Sequence, residues 1–91
     1  MMKLENKVAI VTGGTSGIGR ASCIKFADEG ALVIAVGRKA EDGKNVISEI
    51  DARGGKADFY KCDVTSKDDI EALKKYVESK YGRLDILFNN A

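Results

Sequence analysis

A chain of 91 residues, 44% hydrophobic and 32% charged with a formal net charge of +1, makes one small domain or a piece of a larger one. Its Lys and Arg residues are spread without the basic stripe of a nucleic-acid binder, and no apolar run approaches the roughly 18 residues of a membrane span. Residues 1–7 lack the apolar stretch and cleavage site of a secretory leader, and Cys23 and Cys62 form no C-x-x-C pair, so both are read as reduced thiols of a cytoplasmic protein.

The first element is a short apolar run, residues 7–12, that ends in glycines and reads as a buried parallel strand. Residues 18–29 turn helical, with Ile18, Ala21 and Ser22 on one side followed by Phe26, and with Cys23 in the helix packing. Gly30 sits where a helix-terminating glycine belongs. Residues 32–36 form a second buried strand. A second helix over 40–53 turns Val46, Ile47 and Ile50 to the sheet and ends at Gly54 and Gly55. Residues 57–61 are a third strand, with Cys62 lining its buried end. Ser66 opens a third helix and, with Asp69 three residues on, approximates a capping box in which Asp replaces the preferred Glu. Ile70, Leu73 and Val77 then follow an i, i+3, i+7 stripe to Tyr81 and Gly82. Residues 85–89 are a fourth strand.

The order β-α-β-α-β-α-β implies a parallel sheet, and right-handed crossovers fix its layout. The first two helices lie on one face as the sheet grows outward. The third crossover returns past the first strand, so its helix lies on the other face. The predicted strand order is 3-2-1-4, the first half of a doubly wound α/β fold. The sequence stops at the end of a central strand rather than in a polar linker, so residues 1–91 are expected to be the N-terminal part of a single longer domain. An open fourth-strand edge and a half-bare face predict that the chain by itself is aggregation-prone or self-associating.

From Thr12 to Gly19 the sequence T-G-G-T-S-G-I-G joins the first strand to the first helix. Parallel α/β sheets take ligands at the carboxyl ends of their strands, beside the switch point. Gly13, Gly17 and Gly19 permit a tight turn and close backbone approach to a diphosphate, and the helix N-terminus adds unpaired N–H groups. Turn chemistry alone could also account for such a cluster, but strand, loop and helix fall in the order a phosphate loop requires. A P-loop is excluded, because Gly19 is followed by Arg20 and Ala21 in place of Lys and Ser or Thr. The G-x-G-x-x-G fingerprint fails at Ser22. The absence of histidine excludes Ser-His-Asp and Cys-His catalytic arrangements and His-based metal sites within these residues.

Thr12 to Gly19, Asp63 with Val64 after the third strand, and Asn89, Asn90 and Ala91 after the fourth resemble the short-chain dehydrogenase/reductase family, in family order and spacing. The resemblance implies a Rossmann-type domain that binds a nicotinamide dinucleotide. Gly13, Thr15, Ser16, Gly17, Ile18 and Gly19 would hold the adenosine side and the diphosphate. Asp63 would accept a hydrogen bond from the adenine amino group, and Val64 would pack on the ring. Asn90 would sit near the adenine ribose, while Asn89 ties the central strands together. Plainer roles stand beside these: Asp63 can begin the turn before Ser66, and the Asn pair can be a turn after a strand.

The tip of the second strand reads Val36, Gly37, Arg38, Lys39. NAD enzymes place a carboxylate there for the ribose hydroxyls, whereas Gly37 leaves room and Arg38 can grip a 2′-phosphate, so NADP(H) is favoured over NAD(H). The alternative is that Arg38 is a solvated charge at the start of the second helix. Tyr76 to Lys80 matches the family's catalytic Y-x-x-x-K, but Tyr76 lies about 15 Å down the third helix from the cofactor end and precedes the fourth strand. The pair is therefore read as structural, and no catalytic residue is assigned within 1–91. In the complete protein the resemblance implies hydride transfer between the nicotinamide and a carbonyl or secondary alcohol, in a homo-oligomer. The alternative is a truncated, non-catalytic remnant that binds nucleotide without turnover.

Overall fold

The computed structural model describes residues 3–15 and 17–89. Seven elements alternate along the chain: β1 (Val8–Thr12), α1 (Gly17–Asp28), β2 (Leu32–Gly37), α2 (Ala40–Ala52), β3 (Lys56–Lys61), α3 (Lys67–Tyr81) and β4 (Ile86–Asn89). The four strands are parallel in the order β3-β2-β1-β4, as the crossover argument requires. β1 is therefore central, with Thr12 in register with Val36 on one side and Asn89 on the other.

Side chains alternate between the two faces of the sheet. Ala9, Val11, Val33 and Ala35 pack with Cys23 and Ala27 of α1 and Val46 and Ile50 of α2. Val8, Ile10, Ile34 and Val36 pack with Cys62 and with Leu73 and Val77 of α3. Both layers run along strands buried on both faces, which is why β1 and β2 read as continuous apolar runs.

Local chemistry sets the helix ends. α1 and α2 each close in a Schellman motif: Ala31 and Gly30 donate to Phe26 and Ala27, and Gly55 and Gly54 donate to Ile50 and Asp51. α3 closes on Gly82, which donates its N–H to the Glu78 carbonyl and then turns the chain out of the helix at a positive φ. At the other end Ser66 Oγ accepts the Asp69 N–H at 3.2 Å. The expected reciprocal bond is absent, because the Asp69 carboxylate accepts the Asp63 N–H at 2.9 Å instead. Asp is one methylene shorter than Glu, and here it ties the preceding loop rather than the cap.

Two expectations are corrected. The buried face of α1 is Gly19, Cys23 and Ala27, while Ala21 is exposed and Ile18 is 71% exposed. Small side chains at i, i+4 and i+8 let α1 sit close on the sheet, so bulk is a poor guide to its inward face. Asp85 lies outside β4: its carboxylate accepts the Val8 N–H at 2.9 Å and its N–H donates to the Val8 carbonyl, which joins the starts of β1 and β4. On the α3 side Leu84 and Leu87 stay largely exposed beside Ile70 and Leu73. No helix among the described residues is long and apolar enough to cross a membrane.

Candidate functional site

The carboxyl ends of the strands converge where β1 gives way to the glycine-rich turn. Gly17 opens α1 at φ 55, a left-handed conformation open to glycine at little cost. Gly14 answers a different demand. Its N–H donates to the Val36 carbonyl at 3.1 Å, which lays the turn across the end of β2. A Cβ at this position would stand 2.8 Å from Cys23 Sγ, 2.9 Å from the Val11 carbonyl oxygen and 3.3 Å from Ala35 Cα. Gly14 was not among the residues picked out from the sequence; the doubled glycine was its only signal.

The first turn of α1 carries no acidic side chain, so its N–H groups and positive end meet no competing carboxylate of their own. Gly19 is buried against the sheet, while Ile18 presents an exposed apolar side chain beside the loop. Ser16 lies outside the described residues, as does Asn90.

Two clefts flank the tip of β2. One, between the turn and α2, is lined by Thr15, Gly17, Arg20, Asp42 and Asn45. Arg20 forms an ion pair with Glu49 across α1 and α2. The other is lined by Arg38, Lys61, Cys62, Asp63 and Asp69. Arg38 is exposed and directly follows β2. The N-terminus of α2 is already answered by Glu41 and Asp42 in its first turn. The value of Arg38 toward an anion therefore rests on its own charge and place, not on relief of the helix dipole.

Asp63 makes the turn considered from sequence: its Oδ1 accepts the Thr65 N–H at 2.9 Å and the Thr65 hydroxyl at 2.7 Å. These two bonds, with Arg38 nearby, hold its carboxyl below the usual range. Val64 packs half-buried against the α3-side core. Across the sheet the Thr12 hydroxyl donates to Asn89 Oδ1 at 2.8 Å and links the ends of β1 and β4.

Tyr76 and Lys80 belong to another cluster. Asp58, on β3 in register with Ile34, receives hydrogen bonds from the Tyr76 hydroxyl, from Tyr81 at 2.7 Å and from Lys80 at 3.3 Å. Lys80 also donates to the Tyr76 hydroxyl at 3.0 Å. Burial pushes the Asp58 carboxyl up, but these bonds outweigh it and hold the group below its usual range. Lys80 is shifted up by Tyr76 and Asp58. Among the described residues no group of three or more His, Cys, Asp and Glu is placed to hold a metal ion.

A parallel sheet in the order 3-2-1-4, with a glycine turn feeding a helix at its switch point, defines a Rossmann-type nucleotide-binding fold. The sequence profile of the short chain dehydrogenase family matches residues 7–91, and the chain belongs to that family. It is 50% identical over 91 residues to a 3beta-hydroxysteroid dehydrogenase of Mediterraneibacter gnavus, covering all of this chain and 33% of the relative. It superposes on a hydroxysteroid dehydrogenase from Escherichia coli with a TM-score of 0.95 and 41% identity, over 99% of this chain and 38% of that one. A metagenomic short-chain oxidoreductase in complex with NADP gives a TM-score of 0.94 and 41% identity, over 97% and 40% of the two chains. The chain spans about a third of the length of the curated relatives it matches.

Proposed function

We propose that residues 1–91 are the cofactor-binding part of an NADP(H)-dependent oxidoreductase acting on a carbonyl or secondary alcohol. The observation that carries this reading is the tip of β2, where Gly37 and exposed Arg38 stand in place of a carboxylate, beside a glycine turn docked on Val36. A carboxylate there would repel a 2′-phosphate, while a guanidinium grips one through charge-assisted hydrogen bonds. One of the similar solved structures is a complex with NADP, which supports the choice.

The local structure fits such a group. The turn is held close to the sheet by Gly14, the first turn of α1 carries no carboxylate of its own, and exposed Ile18 supplies apolar surface for a ligand to cover. In this reading Gly13, Thr15, Ser16, Gly17, Ile18 and Gly19 hold the diphosphate and adenosine side, and Arg38 holds the 2′-phosphate. Asp63 accepts from the adenine amino group, Val64 packs on the ring, and Asn90 lies by the adenine ribose. Asn89 keeps the β1 and β4 ends in place through Thr12. Bound NADP(H) supplies or accepts the hydride. The acid–base groups come from outside these residues, since Tyr76 and Lys80 are committed to Asp58. The whole protein is a cytoplasmic homo-oligomer in this reading, and two free, buried thiols suit a reducing compartment.

Titration with NADPH and NADH, followed by nicotinamide fluorescence, tests the assignment. NADPH is expected to bind at least tenfold more tightly, and Arg38→Ala to weaken NADPH by about ten- to a hundredfold without changing NADH. Tighter binding of NADH, or an equal loss for both cofactors in Arg38→Ala, overturns it.

A further inference from the structure

We propose that Thr15 determines what can stand at the tip of β2, so that Thr15 and Gly37 set cofactor choice as a pair. The consequence for cofactors rests on the dinucleotide reading above; the steric coupling does not.

Gly37 is not among the glycines with positive φ, so its backbone would accept a side chain. What excludes one is Thr15. A Cβ built on Gly37 lies 3.0 Å from Thr15 Cγ2, 3.0 Å from Thr15 Oγ1 and 3.6 Å from Thr15 Cβ. Optimal carbon contacts fall at about 3.5–4.0 Å, so both branches of the threonine stand too close. A β-branched side chain fills two of its three staggered wells, and here both filled wells face Gly37. Every 120° rotation leaves at least one of them occupied. Serine, with a single branch, can vacate both.

Retreat of the loop is opposed as well. The neighbouring Gly14 donates its N–H to the Val36 carbonyl at 3.1 Å, which ties the turn to the end of β2. Thr15 is thereby held over Gly37, on the wall of the cleft it shares with Arg20, Asp42 and Asn45. A carboxylate at residue 37, the group that would select NAD(H) through the ribose hydroxyls, is crowded by both branches of Thr15 and relieved by a serine there. Arg38 then acts without an acidic neighbour on the strand tip.

The test is a double-mutant cycle on the protein, read in two ways. Without cofactor, Gly37→Ala is expected to lower the melting midpoint by roughly 5 °C or more in the Thr15 background, and Thr15→Ser to abolish most of that loss. With cofactor, Gly37→Asp in the Thr15 background is expected to lose NADPH without gaining NADH. Thr15→Ser with Gly37→Asp gains NADH by about tenfold over Thr15→Ser alone. Failure of Gly37→Asp to fold beside Thr15, with folding restored by Thr15→Ser, supports the coupling too. Additive melting shifts overturn it, as does an equal NADH gain from Gly37→Asp with and without Thr15→Ser. If neither dinucleotide binds, the cofactor reading fails and the melting cycle alone decides the coupling.

Discussion

A methyl group on Gly14 is the sharpest probe of how the glycine turn is built. Its carbon would stand 2.8 Å from Cys23 Sγ and 2.9 Å from the Val11 carbonyl oxygen, with Ala35 Cα at 3.3 Å. Two of these three atoms are backbone of buried strands, so rotamer changes cannot remove them. Overpacking of a tight core costs about 1–3 kcal/mol, and rigid obstacles place Gly14→Ala near the upper figure. For a domain of this size about 3 kcal/mol lowers the melting midpoint by roughly 12–24 °C, a large part of a total stability of about 5–15 kcal/mol. Urea denaturation followed by circular dichroism measures the loss directly, and an unchanged m-value shows that the unfolded state is unaltered. Adding Cys23→Ala removes the sulfur but neither backbone atom, so the double variant should recover only part of the loss. A Gly14→Ala protein within about 0.5 kcal/mol of the parent would refute the close-approach argument. Full recovery in the double variant would show that the sulfur was the sole obstacle.

Other consequences can be measured on the same protein. The Asp58 carboxyl has a depressed folded pKa, so its contribution is present above the unfolded value of about 4 and is lost as pH falls through the folded one. Asp58→Asn should therefore destabilise the protein at pH 7, with the gap closing under strong acid; a pH-independent gap in urea titrations would contradict this. Burial first, and then the bond to Asp58, push the Tyr81 hydroxyl up to about 12. Its contribution is intact below the unfolded value of about 10 and fades between there and the folded one, a decline that Tyr81→Phe should remove. Tyr76→Phe should cost about 1 kcal/mol of stability and leave NADPH affinity unchanged, whereas a matching loss of affinity would return Tyr76 to the cofactor site. Burial raises the Cys23 thiol to about 12, and Cys62 is raised also, by burial and then by Asp69 and Asp63. Neither thiol should react with a disulfide reagent at pH 7.5 until urea unfolds the chain, and rapid labelling of the native protein would disprove their burial.

Most of the architecture was legible because its signals are local. Doubly buried strands read as apolar runs, and Gly30, Gly54 and Gly82 end their helices for reasons contained in a few residues. Every observed element boundary falls within one residue of its expected place. The inward face of α1 was legible only at Cys23. Gly19, Cys23 and Ala27 are buried for their smallness, while Ile18, the bulkiest early residue, stands in solvent. Gly14 escaped notice, and the constraint on Gly37 was missed, for a related reason: the atoms that crowd a side chain at these positions belong to Cys23, Ala35 and Thr15, brought there only by the fold. From sequence Gly37 was expected to leave room; in the structure Thr15 occupies that room. The Arg20–Glu49 pair and the cluster on Asp58 likewise join residues 29, 18 and 23 positions apart, beyond the reach of any local pattern.

The two margins of the sheet are unequal in a way that gives it a direction of growth. β3 carries exposed Lys56 and Lys61 at its ends and Asp58 between them, held by two phenols and an ammonium. An incoming strand would meet charge at nearly every second residue, a familiar deterrent to lateral pairing. β4 carries Ile86, Leu87, Phe88 and Asn89, without a single charge. Beyond β4 the backbone ladder is uncapped among the described residues, whereas beyond β3 it is guarded. Further strands are thus steered to one flank, whether they come from the same polypeptide or a neighbouring one.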